Sequence, residues 1–241
     1  ARELNHRKFK SLLEELNSNY GDVLLHTAVR WLSRGKVLER FYYLRHEIVL
    51  FLQQNNKVYS ELENDSWWCL LAFLCDITEK LGELNRGLQG ENKIISQMAN
   101  KVFALEDKLN VFYEEIQSQV LVNFPMLIKA KQDGIRISSQ NYETMSKYLA
   151  SLSEEFKNRF QDLRKIKKCL LLVENPWQLE TPTLTQLATL GFDHAKLVDE
   201  FIHFKNDTHW EAVFKEKREK KEYMEFWKLL PDDYKTVKNG A

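Results

Sequence analysis

The feature that most constrains this chain is an apolar repeat with a seven-residue period. It occurs in three separate segments, and further apolar residues fall between its positions at spacings of three and four. Such residues form one stripe along a helix, and the stripe must be buried. Three stripes bury one another most economically as a bundle. The repeat positions are Trp67, Leu74, Leu81 and Leu88; Ile95, Val102, Leu109 and Ile116; and Tyr142, Leu149, Phe156, Leu163 and Leu170.

Helix-ending residues divide these three stripes into three long helices. Gly87 and Gly90 lie at the end of the first predicted helix, where glycine readily adopts the left-handed conformation of a helix end. Pro125 is expected to end or kink the second helix because it has no backbone N–H. Ser138, Ser139 and Asn141 are candidate caps for the third helix, which Pro176 closes. The fold class predicted is mainly α, a long-helix bundle with at most a short strand near 23–31.

Shorter amphipathic segments flank the three long helices. Helices are predicted at 3–16 and 36–53 before them, and at 197–204 and 210–214 after them. The charged run at 215–222 is expected to form an exposed helix with pairs four residues apart.

Composition excludes several classes of protein. Among 241 residues, 35 Lys and Arg balance 35 Asp and Glu, so only a local surface can be basic. Eight Gly and four Pro are too few for a collagen-like or turn-rich β chain. The longest apolar run, 67–75, is far shorter than the roughly 20 residues that span a bilayer. Three Cys without a CxxC pair indicate a reducing compartment, the cytosol or nucleus. No secretory signal is seen, and a chain that starts at Ala1 without Met is expected to be a fragment or a processed chain.

No pattern for catalysis or cofactor binding is present. The six His form no HxxxH or HExxH pair, and neither a phosphate-binding GxxxxGK[ST] loop nor a GxSxG nucleophile motif occurs. The acidic residues between 193 and 207 are expected to be a solvated face. We therefore expect no enzyme activity, no metal, no cofactor and no small-molecule substrate for this chain.

A basic segment around one tryptophan is the candidate DNA-binding site. Residues 1–45 hold nine Lys or Arg against five Asp or Glu, a net charge of +4. Cations neutralise phosphates, and an indole face can stack on an unpaired base. The alternative is that the tryptophan is a core residue and the basic side chains are simply solvated. The candidate residues are Arg30, Trp31, Ser33, Arg34, Lys36 and Arg40.

The sequence LLHTAVRWLSRGKVLERFYYLRHEIVLFL (24–52) resembles the hAT superfamily of DNA transposases. It is more similar still to their domesticated vertebrate relatives, the BED-zinc-finger transposase-derived proteins and a general transcription factor II-I repeat protein with a transposase-like tail. Segments 1–16, 67–90 and 201–234 extend the resemblance over nearly the whole chain.

That resemblance implies a ribonuclease H-like domain interrupted by a helical insertion. On this basis residues 1–53 are the margin of the nuclease-like core, 54–178 the insertion bundle, and 179–241 a return segment towards a C-terminal dimerisation region. The family's three metal-binding carboxylates would lie before Ala1 and after Ala241, so a divalent metal is expected only if the parent protein keeps them. The Trp of the family's Arg-Trp motif, which stacks near a flipped base, corresponds to Trp31.

These features lead to one main hypothesis and two alternatives. The chain is expected to be a non-catalytic, DNA-associated part of a domesticated transposase-like protein in the nucleus, with the cytoplasm as a second location. The first alternative is a helical scaffold that binds a protein partner or itself without binding DNA. The less favoured alternative is part of an active transposase. No membrane association is expected.

Overall fold

The structure, a computed structural model, describes residues 2–22, 32–90, 95–180, 184, 193–220 and 222–240. Most of the described residues are helical and none of them lies in a strand, so the predicted mainly α fold is confirmed. The strand suggested near 23–31 lies outside the described residues.

The described residues contain thirteen α-helices and three short 3₁₀ segments with defined bounds, joined by turns and loops. The α-helices are α1 (Arg2–Glu15), α2 (Leu32–Tyr43), α3 (Arg45–Gln54), α4 (Asp65–Leu88), α5 (Ile95–Gln117), α6 (Pro125–Gln132), α7 (Ser139–Arg159), α8 (Gln161–Lys165), α9 (Lys167–Glu174), α10 (His194–Asn206), α11 (Thr208–Glu219), α12 (Tyr223–Leu229) and α13 (Lys235–Gly240). The 3₁₀ segments are Ser60–Glu63, Pro176–Gln178 and Asp232–Tyr234.

The chain divides into two compact units, the first formed by residues 1–91 and 102–156. Its main core joins the apolar faces of α4, α5, α6 and α7 with Tyr42 of α2. A smaller cluster packs Phe9 and Leu13 of α1 against Leu44 and Ile48.

The predicted helices α4 and α5 supply the main core, but their repeat positions only partly form its buried face. In α4 the four repeat positions are half-buried, whereas Trp68, Leu71 and Cys75 are buried. In α5, Leu109 and Ile116 are buried as predicted and Ile95 is exposed.

The second unit comprises residues 92–101 and 157–241. Its core is unusually aromatic: Phe201, Phe204 and Phe226 are fully buried, and the Trp177 ring lies 4.8 Å from that of Phe204. The short helices α10 to α13 each contribute to it. The assignment of segments 1–53, 54–178 and 179–241 to functional domains stays a prediction.

The single helix predicted over 36–53 is in fact two. Leu44 separates α2 from α3, with φ −87° and ψ 13°. The guanidinium of Arg45 donates to the carbonyl of Tyr42 at 3.2 Å. Tyr42 is buried in the main core and Leu44 in the smaller cluster, so the break lets adjacent turns face different cores.

Pro125 neither ends nor kinks the second long helix, which corrects the prediction. Helix α5 ends at Gln117, and Pro125 is the first residue of α6. Proline fits this position because the first N–H of a helix has no partner within the helix. Pro125 is still excluded from a helix interior, as expected, but it marks the start of one helix and not the end of another.

The third long helix is shorter than its repeat predicted. Helix α7 ends at Arg159, and breaks at Phe160 and Ile166 separate it from α8 and α9. The repeat therefore does not continue to Leu163 and Leu170 on one helix. Arg159, the residue that interrupts the apolar seam, lies at the break, and residues from 157 onward belong to the second unit.

Candidate functional site

Asp22 is the centre of a cluster of basic side chains from α1 and α2. His6 Nε2 lies 2.8 and 2.9 Å from the two carboxylate oxygens of Asp22, and Lys10 Nζ lies 3.6 Å from one of them. Arg40 Nη1 donates to the main-chain carbonyl of Asp22 at 3.0 Å. We call His6, Lys10, Lys36 and Arg40 the N-terminal basic cluster. Its α1 members precede the segment that contains the Arg-Trp motif, and its α2 members follow it.

Each of the two helices carries two members of the cluster on one face. His6 and Lys10 are four residues apart on α1, and Lys36 and Arg40 are four residues apart on α2, so each pair shares a helix face. Packing of Phe9 against the α3 side chains holds α1 in place.

Arg40, a predicted DNA-binding residue, has contacts inside the protein. Besides its bond to the Asp22 carbonyl, its guanidinium lies 4.5 Å from the centre of the Tyr20 ring. Tyr20 in turn stacks on Tyr43, with ring centres 5.7 Å apart. Arg40 is partly buried, so it fixes the 18–22 turn against α2.

Lys36 has the surroundings expected of a ligand-binding cation. Its side chain is exposed, and it has no ion-pair or hydrogen-bond partner in the part of the chain that the structure describes. The neighbouring Gly35 lets α2 approach α4 closely, because a Cβ there would lie 3.3 Å from the hydroxyl of Thr78. Thr78 cannot easily move, since it donates to the carbonyl of Leu74 at 2.8 Å. The position of α2 under Lys36 is thus set by packing.

The remaining predicted site residues are only partly described. Arg30 and Trp31 lie outside the described residues. Ser33 and Arg34 belong to the first turn of α2, but the structure describes only their backbone. Their proposed contacts with DNA therefore stay predictions.

Sequence patterns alone missed His6, Lys10 and Asp22. The four-residue spacing of the two basic residues was visible, but no pattern showed that Asp22 would meet them across 16 residues. The charge count also treated Asp22 as one acid among five, whereas the structure places its carboxylate among the cations.

The shifted pKa values of two cysteines and one aspartate elsewhere in the first unit are explained by burial. Burial raises the pKa of the Cys69 and Cys75 thiols to about 12, which makes them inert at neutral pH. Burial raises the pKa of Asp76 to about 7, against the lowering effect of the hydrogen bonds it accepts from the amides of Met126 and Leu127. This carboxylate caps α6 and does not face an open pocket.

A second set of polar side chains, centred on Asp133, connects α2, α3 and α6 of the first unit. Asp133 accepts from the Tyr42 hydroxyl at 3.2 Å and pairs with Arg45 at 2.8 Å and with Lys129. Burial alone would raise the pKa of Asp133, but the Lys129 hydrogen bond, the Arg45 charge and the Tyr42 hydrogen bond hold it below its ordinary value. These contacts tie α2 and α3 to the end of α6.

Neither a metal centre nor a membrane helix is found in the described ranges. No group of three or more His, Cys, Asp or Glu there could hold a metal ion. None of the helices described is both long and apolar enough to cross a membrane.

The fold and the basic cluster together describe a helical domain with a local group of cations. Residues 1–117 match the family model FAM200-GTF2IRD2-like, the FAM200/GTF2IRD2 helical domain. This match supports a relationship between the chain and that family of helical domains.

The chain is also similar in sequence to two individual proteins. The chain is 35% identical over 180 residues to General transcription factor II-I repeat domain-containing protein 2 of Mus musculus, which covers 73% of this chain and 18% of that protein. It is 31% identical over 241 residues to the Bos taurus protein of the same name, covering 99% of this chain and 23% of that protein. The chain thus spans about a fifth of the length of these relatives. No solved structure matches it significantly.

Proposed function

We propose that this chain is a non-catalytic, DNA-associated helical domain of a nuclear protein derived from an hAT transposase. It contacts backbone phosphates through the N-terminal basic cluster and an unpaired base through Trp31. The observation that carries the proposal is the convergence of His6, Lys10 and Arg40 on Asp22, with exposed Lys36 one turn before Arg40 on α2.

Two further observations support this proposal. Arg7 of α1, the residue after His6, is also exposed and adds a positive charge to this end of the helix. The relatives are named general transcription factor repeat proteins, a name that fits a DNA-associated role in the nucleus. Cations in such an arrangement position a protein on the phosphate backbone without reading sequence.

The test is the salt dependence of binding to a hairpin DNA with unpaired bases. Phosphate contacts make log affinity fall linearly with log salt concentration. We expect Lys36→Gln to weaken binding and flatten that slope by about 0.9, the value of one phosphate contact on duplex DNA. The matched control is Lys101→Gln, an exposed lysine on α5, which should leave both quantities unchanged.

The stacking role of Trp31 requires its own variant. Trp31→Ala should weaken binding to the hairpin by about 1–3 kcal/mol, the usual contribution of an aromatic ring stacked on one base. Binding to fully paired DNA should change much less. Equal affinities for the wild type and Trp31→Ala, with circular dichroism unchanged, would reject base stacking.

A protein-interaction scaffold is the second candidate function. Large apolar side chains are exposed in two loops of the first unit, where Val58 is 72% and Val122 76% accessible. If no DNA binds even at low salt, this function replaces the first. Metal-dependent cleavage of a plasmid by the purified chain would contradict both proposals, because both are non-catalytic.

A further inference from the structure

The Asp22 carboxylate has the surroundings of a bound phosphate. One imidazole nitrogen contacts both carboxylate oxygens, and an ammonium group lies 3.6 Å from one of them. A guanidinium group from α2 donates to the main-chain oxygen of the same residue. Proteins use these same donor groups to hold the phosphates of nucleic acids.

The site is open enough for exchange with an external ligand. The Asp22 side chain is 29% exposed, His6 is 32% exposed and Lys10 is 49% exposed. A partly exposed pair of this kind contributes little to stability, because solvent screens it. Asp22 is therefore free to give up its partners when a stronger or multiply charged anion approaches.

We propose that Asp22 acts as an internal competitor of DNA: its carboxylate occupies the position that a backbone phosphate takes when DNA binds the N-terminal basic cluster. This inference rests on the proposed function, and it names the residue that weakens DNA binding by that same site. In the free protein Asp22 neutralises Lys10 and engages His6. When a phosphate binds, it takes over both donors, and only ligands with several correctly spaced phosphates compensate for displacing the carboxylate.

A merely structural role for Asp22 predicts a different result. If Asp22 only bridges α1 and the turn before α2, removing its charge loosens the cluster and leaves DNA affinity unchanged or reduced. If Asp22 competes with phosphate, the same change increases affinity. The sign of the effect on affinity therefore separates the two roles.

The experiment measures DNA affinity of Asp22→Asn by fluorescence anisotropy at several salt concentrations. Removing the competing charge frees about one cation for phosphate. We expect binding roughly five- to tenfold tighter near 0.1 M salt, with a slope of log affinity against log salt steeper by about 0.9. The control is Glu15→Gln, an exposed carboxyl on the side of α1 opposite His6 and Lys10, which should change affinity less than about twofold.

Unchanged or weaker binding by folded Asp22→Asn overturns the inference while the proposed function stands. If the wild-type chain itself binds no DNA at low salt, the proposed function fails first, and the inference fails with it.

A second variant tests the inference without altering Asp22, in case Asp22→Asn does not fold. Lys10 is already neutralised in the wild type, so Lys10→Gln should lower affinity less than about twofold, compared with several-fold for Lys36→Gln. Where Asp22→Asn is folded, Lys10→Gln in that background should cost as much as Lys36→Gln. A large effect of Lys10→Gln in the wild type would contradict the inference.

Discussion

The carboxylate of Asp76 caps a helix that begins near Met126, fifty residues further along the chain. Asp76 Oδ1 accepts from the N–H of Met126 at 2.9 Å, and Oδ2 accepts from the N–H of Leu127 at 3.1 Å. Pro125 opens the helix and has no N–H to satisfy, so the next two amides are the ones that require an acceptor. A buried side chain of α4 thus takes the place of the local cap that α6 lacks.

Asp76→Ala should lower the free energy of unfolding by about 2–4 kcal/mol, because it leaves two buried amides without acceptors. Urea denaturation followed by circular dichroism measures the loss. Glu79→Ala is the control on the same helix: its side chain is 51% exposed, and its loss should cost less than about 0.5 kcal/mol. Equal effects of the two variants would show that Asp76 does not cap α6.

The stability contributed by Asp76 should also depend on pH. Burial raises its pKa from 3.8 to about 7, so between these values the native state holds a proton that the unfolded chain has released. The native state therefore binds more protons, and the contribution of Asp76 to stability decreases as the pH rises from about 4 to 7. Denaturation of the wild type and Asp76→Asn across this interval tests this; parallel pH profiles would contradict it.

Glu200 caps α13 from α10 in the same manner. It accepts from the N–H of Thr236 at 2.6 Å and from the N–H of Val237 at 3.1 Å. Glu200→Ala should lower stability by about 1–2 kcal/mol and speed amide exchange at buried Val237. Asp199→Ala, with a side chain 81% exposed, is the neighbouring control and should change neither the melting temperature nor the exchange.

The ion pair between Asp133 and Arg45 should matter far more than an exposed one. Their side chains are only 14% exposed or less, and Tyr42 adds a hydrogen bond. Asp133→Ala should cost about 2–3 kcal/mol, because it leaves a largely buried guanidinium without its carboxylate. Removing Glu143, whose pair with Lys147 is solvent-exposed, should leave the melting temperature unchanged. Similar melting temperatures for the two variants would refute this ranking.

Two neighbouring cations on α2 should have different roles. Arg40→Gln should lower the melting temperature, because it removes both the bond to the Asp22 carbonyl and the contact with the Tyr20 ring. Lys36→Gln should leave the melting temperature unchanged and affect only DNA affinity. Thermal unfolding and anisotropy measured on the same samples separate the two; a loss of stability in Lys36→Gln would be evidence against a binding role.

The long helices were predictable because their apolar residues recur at helical spacing. The repeat from Trp67 to Leu88 corresponds closely to α4, and that from Ile95 to Ile116 to α5. A periodic stripe follows from local geometry, so it can be recognised without knowing its partners. The third repeat failed beyond Arg159, because apolar residues at the right spacing can belong to separate helices in separate cores.

The breaks and the basic cluster were not predictable from patterns because they depend on contacts distant in sequence. Nothing near Leu44 indicates that the helix changes direction there; the change follows from two cores that adjacent turns must fill. Lys36 is exposed and its contact with DNA stays a prediction, whereas the internal contacts of Arg40 depend on Tyr20 and Asp22, which are distant in sequence.

The long-range cap of α6 has a consequence for the order of folding. An eight-residue helix is too short to persist alone in water. The amides of Met126 and Leu127 find their acceptor only after α4 has formed and docked beside them, so α6 should consolidate late, as a follower of α4. In pulse-labelling of a refolding sample, these two amides should gain protection in the same kinetic phase that brings the two segments together.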